Sequence, residues 1–188
     1  MTTAIGFVED GKIYMGCNST LNINDFSQNG VKYICNSKFV LCFSGDFETF
    51  NFIEELIYTN KYDRDIEGLI RIIRITLDRV KINHKHEKEC DKILFADFSG
   101  LYDISIFKDF SSYTMTDKMA IGSEDVIALA AFETIKLIES KYEYLKTFDG
   151  EKKLDCILRC TININPYSSL PANKFKVEMK GQKVNIIK

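Results

Sequence analysis

The sequence is poor in the residues that punctuate or decorate a chain. It has two prolines and ten glycines in 188 residues, so no low-complexity linker or collagen-like segment is present. Two histidines leave little material for a histidine-based metal site. No apolar run approaches the ~20 residues of a membrane-spanning helix. No leader is expected either, because Glu9 and Asp10 interrupt the stretch where a signal peptide needs apolar residues. The net charge of −2 gives no basic face for nucleic acid or anionic lipid. No C-x-x-C pair occurs among the six cysteines. Cys17, Cys35, Cys42, Cys90, Cys156 and Cys160 are scattered, mostly through apolar runs, which reads as buried, reduced thiols in a cytoplasmic protein. Phosphate-loop and cofactor motifs are absent, so no cofactor and no metal are expected.

The chain does contain a regular alternation of strand and helix patterns, consistent with one domain over residues 1–188. Ala4–Glu9 and Lys12–Cys17 flank Asp10-Gly11 as a hairpin. Val31–Asn36 and Phe39–Phe43 flank Asn36-Ser37-Lys38. The second of these runs is apolar throughout, which predicts a strand covered on both faces. Phe47, Phe50, Ile53 and Ile57 predict a helix over 47–60, and Ile66, Leu69, Ile70, Ile73, Leu77 and Val80 predict another over 65–83. His84-Lys85-His86-Glu87-Lys88-Glu89 reads as a solvated loop rather than a metal-ligand pair. Strands are predicted at 93–98, 101–107, 113–116 and 119–123. Helices follow over 124–144 and 154–162, then strands over 175–179 and 184–187. Strand runs broken by helix pairs predict an α+β protein in which two mainly antiparallel sheets pack together beneath outer helices.

The start of the chain carries the chemistry. If Met1 is removed, Thr2 presents a hydroxyl and a free α-amine on one residue. The amine has an unperturbed pKa of about 8, so part of it is neutral at pH 7 and can act as a base. That combination supplies a nucleophile and its general base together. Cleavage at Gly16-Cys17 would expose a different N-terminal nucleophile, but it would discard the first strand.

The ordered set of motifs resembles the proteasome β-subunit and HslV family of N-terminal-nucleophile hydrolases. It consists of Thr2-Thr3, then Cys17-Asn18-Ser19-Thr20, then Asn29-Gly30-Val31-Lys32. Phe43-Ser44-Gly45-Asp46 precedes a helix, Ala120-Ile121-Gly122-Ser123 precedes a long helix, and Asn165-Pro166-Tyr167-Ser168-Ser169 follows the last one. The resemblance implies a four-layer αββα sandwich. It also implies a threonine-type endopeptidase acting on peptides or unfolded proteins inside a homo-oligomeric ring, fed by an ATP-dependent unfoldase. On this resemblance Thr2 is nucleophile and base, and Lys32 is the ammonium that lowers the pKa values of the hydroxyl and amine. Ser123 and Ser168 hold the amine and its water, Thr20 pairs with the substrate backbone, Val40 lines the substrate pocket, and the Cys42 backbone N–H stabilises the oxyanion.

Three positions depart from the family pattern. Asn18 and Asn165 stand where aspartates are usual, and Cys42 stands for a glycine. An asparagine accepts a hydrogen bond but supplies no negative charge. These departures motivate two alternatives: a catalytically silent relative serving as scaffold or partner subunit, and an amide hydrolase acting on a small molecule.

Overall fold

The structure is a computed structural model. It describes residues 2–19, 21–23, 26–28, 32–59, 65–79, 90–142, 148–164 and 172–187, with the backbone alone at 2, 19, 21–23, 26–28, 163 and 164. In chain order the elements are β1 (Thr2–Glu9), β2 (Lys12–Ser19), β3 (Leu21–Ile23), β4 (Phe26–Gln28), β5 (Tyr33–Cys35) and β6 (Phe39–Ser44). Then come α1 (Phe47–Thr59), α2 (Ile66–Arg79), β7 (Asp91–Asp97), β8 (Leu101–Ile106), β9 (Ser111–Thr116) and β10 (Lys118–Gly122). The chain ends with α3 (Asp125–Lys141), α4 (Gly150–Ile164), β11 (Asn173–Glu178) and β12 (Lys183–Ile187).

Two five-stranded antiparallel sheets form, with strand orders β10-β1-β2-β11-β12 and β5-β6-β7-β8-β9. Turn chemistry sets their registers. Asp10 and Gly11 both have positive φ, at 50° and 70°, the backbone that a two-residue hairpin loop needs to match the twist of its strands. β1 and β2 therefore pair without a slip from Glu9↔Lys12 to Thr2↔Ser19. At the second hairpin the Asn36 Oδ1 accepts the N–H groups of Lys38 and Phe39 at 2.8 and 3.1 Å, an Asx-type turn. At the third, Asp97 Oδ1 accepts the N–H groups of Ser99 and Gly100 at 2.7 and 3.1 Å.

Strand alternation sorts the core into three apolar layers. Between the sheets lie Ala4, Ile13, Met15 and Cys17 of the first sheet against Val40, Cys42, Leu94 and Ala96 of the second. α1 and α2 cover the outer face of the second sheet through Phe50, Ile53, Leu69 and Ile73, packed on Phe39, Leu41 and Phe43. α3 and α4 cover the first sheet through Phe132, Leu154 and Leu158, packed on Ile5, Phe7 and Tyr14. The result is the expected αββα sandwich. β6 is covered on both faces because its even residues enter the middle layer and its odd residues the outer one. Burying each such side chain contributes about 1.5–3 kcal/mol, so the middle layer is what holds the sheets together.

Several elements differ from the sequence reading. β3 and β4 form a small antiparallel hairpin that the sequence pattern did not predict. β9 begins at Ser111 rather than at 113. α4 begins at Gly150, four residues before the predicted 154, because Asp149 caps it: its Oδ1 accepts the Lys152 N–H at 2.9 Å. Gly150 itself has no room for a Cβ, which would stand 2.2 Å from the Tyr14 ring. The 84–89 charge run lies outside the described residues. Among the described residues no helix is long and apolar enough to cross a membrane, and no group of side chains could hold a metal ion.

Candidate functional site

The start of β1 is held on both sides. Thr3 pairs with Asn18 of β2 and with Gly122 of β10, so the first residue of the strand sits between the end of β2 and the turn leading into α3. Asn18 is buried, and its Oδ1 accepts the Thr3 N–H at 2.9 Å. Ser123 is exposed and follows Gly122, one residue beyond the Gly122↔Thr3 pair. Gly122 adopts φ 108°, a turn into α3 that glycine makes without steric cost. The structure thus brings Asn18 and Ser123 to the strand that carries Thr2. Of Thr2 it describes the backbone, as the first residue of β1. Thr20, Asn165 and Ser168 lie outside the described residues.

One further residue, Glu124, completes this end of the sheet. The Thr3 hydroxyl donates to Glu124 Oε2, and the Glu124 N–H donates to Thr3 Oγ1 at 3.2 Å. Glu124 is the N-cap residue of α3 but makes no side-chain capping bond to that helix. Its carboxylate turns inward and is 7% exposed. The sequence pattern marks Glu124 only as the first residue of the helix predicted over 124–144. The signal that could have found it is its position directly after Ile121-Gly122-Ser123, which a strand-to-helix turn carries back beside β1.

Lys32 occupies a different setting. It precedes β5, and its carbonyl accepts the Phe43 N–H at 2.9 Å. Lys32 therefore shares a sheet face with Ile34 and Phe43, which belong to the layer under α1 and α2, whereas Tyr33 and Cys42 face the first sheet. Its ammonium donates to the Gly45 carbonyl and lies 5.6 Å from the Phe43 ring centroid. Burial pushes the Lys32 pKa below the ordinary lysine value, against the opposing pull of Asp91 and Asp46. Asp91 also anchors the turn after β6, accepting the Asp46 N–H at 3.0 Å.

Cys42 and Val40 are wholly buried in the middle layer. Because the Phe43 N–H points to β5, the Cys42 N–H points the other way, toward Leu94 on β7. It lies inside the sheet ladder rather than at a free edge, so Cys42 does not present an oxyanion donor in this arrangement. Its thiol is hydrogen-bonded with Cys17 across the sandwich, and that bond together with burial holds its pKa well above the ordinary thiol value. Val40 is core and not the wall of an open pocket.

A cavity of about 580 Å³ is lined by Glu9, Tyr14, Lys136, Phe148 and Lys153. It lies at the opposite end of β1 from Thr2. Its floor is an ion-pair network in which Glu9 meets Lys136 at 2.7 Å and also meets Lys153, which meets Glu139 at 2.9 Å.

No protein-family model matches the chain, and no curated protein matches it in sequence. Solved structures do match its fold. Thiobacillus denitrificans BPH superposes with a TM-score of 0.72 at 15% identity, over 94% of this chain and 98% of that one. The same protein in complex with epoxomicin gives 0.71 at 15% identity, with the same coverage of both chains. A eukaryotic HslV from Trypanosoma brucei gives 0.61 at 14% identity, over 94% and 99% of the two chains. The likeness is one of fold: the chain has the αββα architecture of these structures and covers nearly the whole of each matched chain.

Proposed function

We propose that the protein is a threonine-type peptidase subunit of a ring-shaped, self-enclosed homo-oligomer, with Thr2 as the nucleophile once Met1 is removed. The observation that carries this reading is the fold match over 94% of the chain to a protein also solved with epoxomicin, together with a Thr-Thr start on the strand that Asn18 and the Gly122-Ser123 turn flank. In this reading the Thr2 amine takes the hydroxyl proton as Oγ1 attacks the carbonyl carbon of a peptide bond. The tetrahedral adduct collapses with transfer of that proton to the leaving amine. Water then hydrolyses the acyl ester, with the same amine as base. Ser123, with Ser168 and Asn165, would hold the amine and its water, and Thr20 would pair with the substrate backbone. Lys32 would act through its charge. The oxyanion donor is left to a group other than Cys42. An ATP-dependent unfoldase is the expected partner of such a ring.

The test is the intact mass of the purified protein with and without epoxomicin. Loss of Met1 and one adduct, absent in Thr2→Ala, is the expected result. Met1 lost with no adduct and no peptide hydrolysis would refute the reading.

A second reading, a silent scaffold or partner subunit, is favoured by one specific observation. The Lys32 ammonium is bonded to the Gly45 carbonyl on the helix-covered face of its sheet. That reading expects assembly without labelling, and clean labelling at Thr2 would end it.

A further inference from the structure

We infer that Glu124 is a positioning residue for the N-terminal nucleophile, supplying the negative charge that the neutral Asn18 does not. The inference rests on Thr2 being the N-terminal residue in the working protein. It arises from three side chains that meet at the start of β1. The Asn18 amide oxygen holds the Thr3 N–H. The Thr3 hydroxyl is used twice by Glu124, donating to its carboxylate and accepting from its N–H. Thr3 is thus clamped on its backbone by a neutral group and on its side chain by an anionic one.

The placement of the carboxylate is costly unless it is used. A glutamate at a helix start can stay in water or satisfy the helix N–H groups, each at little cost. Glu124 does neither, and its side chain is buried against β1. Burying a charge carries a desolvation penalty that hydrogen bonds must offset. The positive end of α3 offsets part of it, and the Thr3 hydroxyl another part.

The other charged side chains described on the neighbouring elements are engaged or stand elsewhere. On its own helix, Asp125 is turned to the helix, accepting the Val126 N–H at 2.6 Å. The charged residues of β1 and β2, Glu9 and Lys12, stand at the far ends of those strands. Lys118 of β10 is likewise at the far end and bonds Glu133. On α4, Lys153 is bound to Glu9 and Glu139, and Arg159 to Asp155, which also binds Lys174 of β11 at 2.9 Å. Lys32, Asp46 and Asp91 belong to the second sheet.

An anion at this place does two things for a terminal amine on the adjoining residue. Through Thr3 it fixes the direction in which β1 begins. Through its field it favours the ammonium that forms when the amine takes the hydroxyl proton, as the aspartate of a serine triad stabilises its imidazolium.

The test uses the full chain released from a precursor cleaved before Thr2, with the Thr2 amine isotopically labelled and titrated by NMR. Glu124→Gln keeps shape and hydrogen bonding but removes charge. It is expected to lower the amine pKa by about one unit and to move the acid limb of kcat/KM down by the same amount. Glu124→Asp should keep the wild-type value. An unchanged amine pKa in Glu124→Gln overturns the inference and leaves a purely structural hydrogen bond. Should that variant not fold, Asn18→Asp with Glu124→Gln is read instead, since it returns a carboxylate to the same Thr3 clamp. A wild-type amine pKa is then expected, and one about a unit lower overturns the inference. The titration needs no turnover. A shift without an epoxomicin adduct therefore removes the peptidase reading alone, and an adduct without a shift removes the role of Glu124 alone.

Discussion

Replacing Gly45 by alanine is expected to damage the second sheet far more than an exposed glycine replacement does. Gly45 leaves β6 with φ 157°, and a Cβ built on it would stand 2.0 Å from Asp91 Oδ1 and 2.4 Å from its carboxyl carbon. Asp91 is the first residue of β7, is buried, and holds the Asp46 N–H at 3.0 Å. It cannot turn aside without giving up that bond. A hydrogen bond to a charged group is worth about 1.5–3 kcal/mol, and a strained backbone adds about 1–3 kcal/mol. The sum is about 2.5–6 kcal/mol. With a urea m-value of about 2 kcal/mol/M, the midpoint should fall by about 1.2–3 M. Gly11→Ala is the control, since Gly11 also has positive φ, at 70°, but nothing stands within 4 Å of a Cβ there. That variant should lose about 1 kcal/mol. Equal losses for the two variants in urea unfolding would refute the argument that Asp91 packs against Gly45.

Acid and alkali should each weaken the network beneath α3 and α4. Burial would raise the Glu9 pKa, but Lys136 and Lys153 outweigh it and hold it below 4.5. Its stabilisation is therefore present above the unfolded value and lost as pH falls through the lower folded one. Burial would lower Lys153, but Glu9 and Glu139 outweigh it and hold it above 10.5, so that contribution is lost only as pH rises through the folded value. A Tm measured against pH should fall below pH 4.5, and Lys153→Met should flatten that fall. An unflattened fall in the variant would show that the acid loss arises elsewhere. Cys42→Ala should cost about 1–2 kcal/mol through the lost contact with Cys17. An unchanged urea midpoint in Cys42→Ala would show that this contact contributes nothing.

Much of the architecture was legible because binary patterns and turn residues agree. Asp10-Gly11 and Asn36 each mark a turn: in the structure the first pair takes positive φ at both residues, and Asn36 Oδ1 accepts the Lys38 N–H at 2.8 Å. The β3–β4 hairpin was not legible because each strand is three residues long, too short for a period to show. The start of α4 was not legible because glycine is a poor helix former; the Asp149 cap sets the start, and the Tyr14 ring leaves room for no side chain at 150. For the site, alternation alone separates Lys32 and Ile34 from Tyr33 and Cys35, so the face of Lys32 could have been read in advance. The direction of the Cys42 N–H could not, because it depends on which neighbour lies on which side of β6. Glu124 was hidden because its partner Thr3 is 121 residues away in sequence.

The strand order β10-β1-β2-β11-β12 also has a temporal meaning. β1 and β2 precede the other strands in the sequence, yet their outer neighbours come from residues 118–122 and 173–178. Until those arrive, the first hairpin has two open edges and no helix cover, and the loop to be closed between Thr3 and Glu124 is long. The surroundings of β1 are thus assembled from segments far apart in the sequence, and a polypeptide truncated before them lacks them.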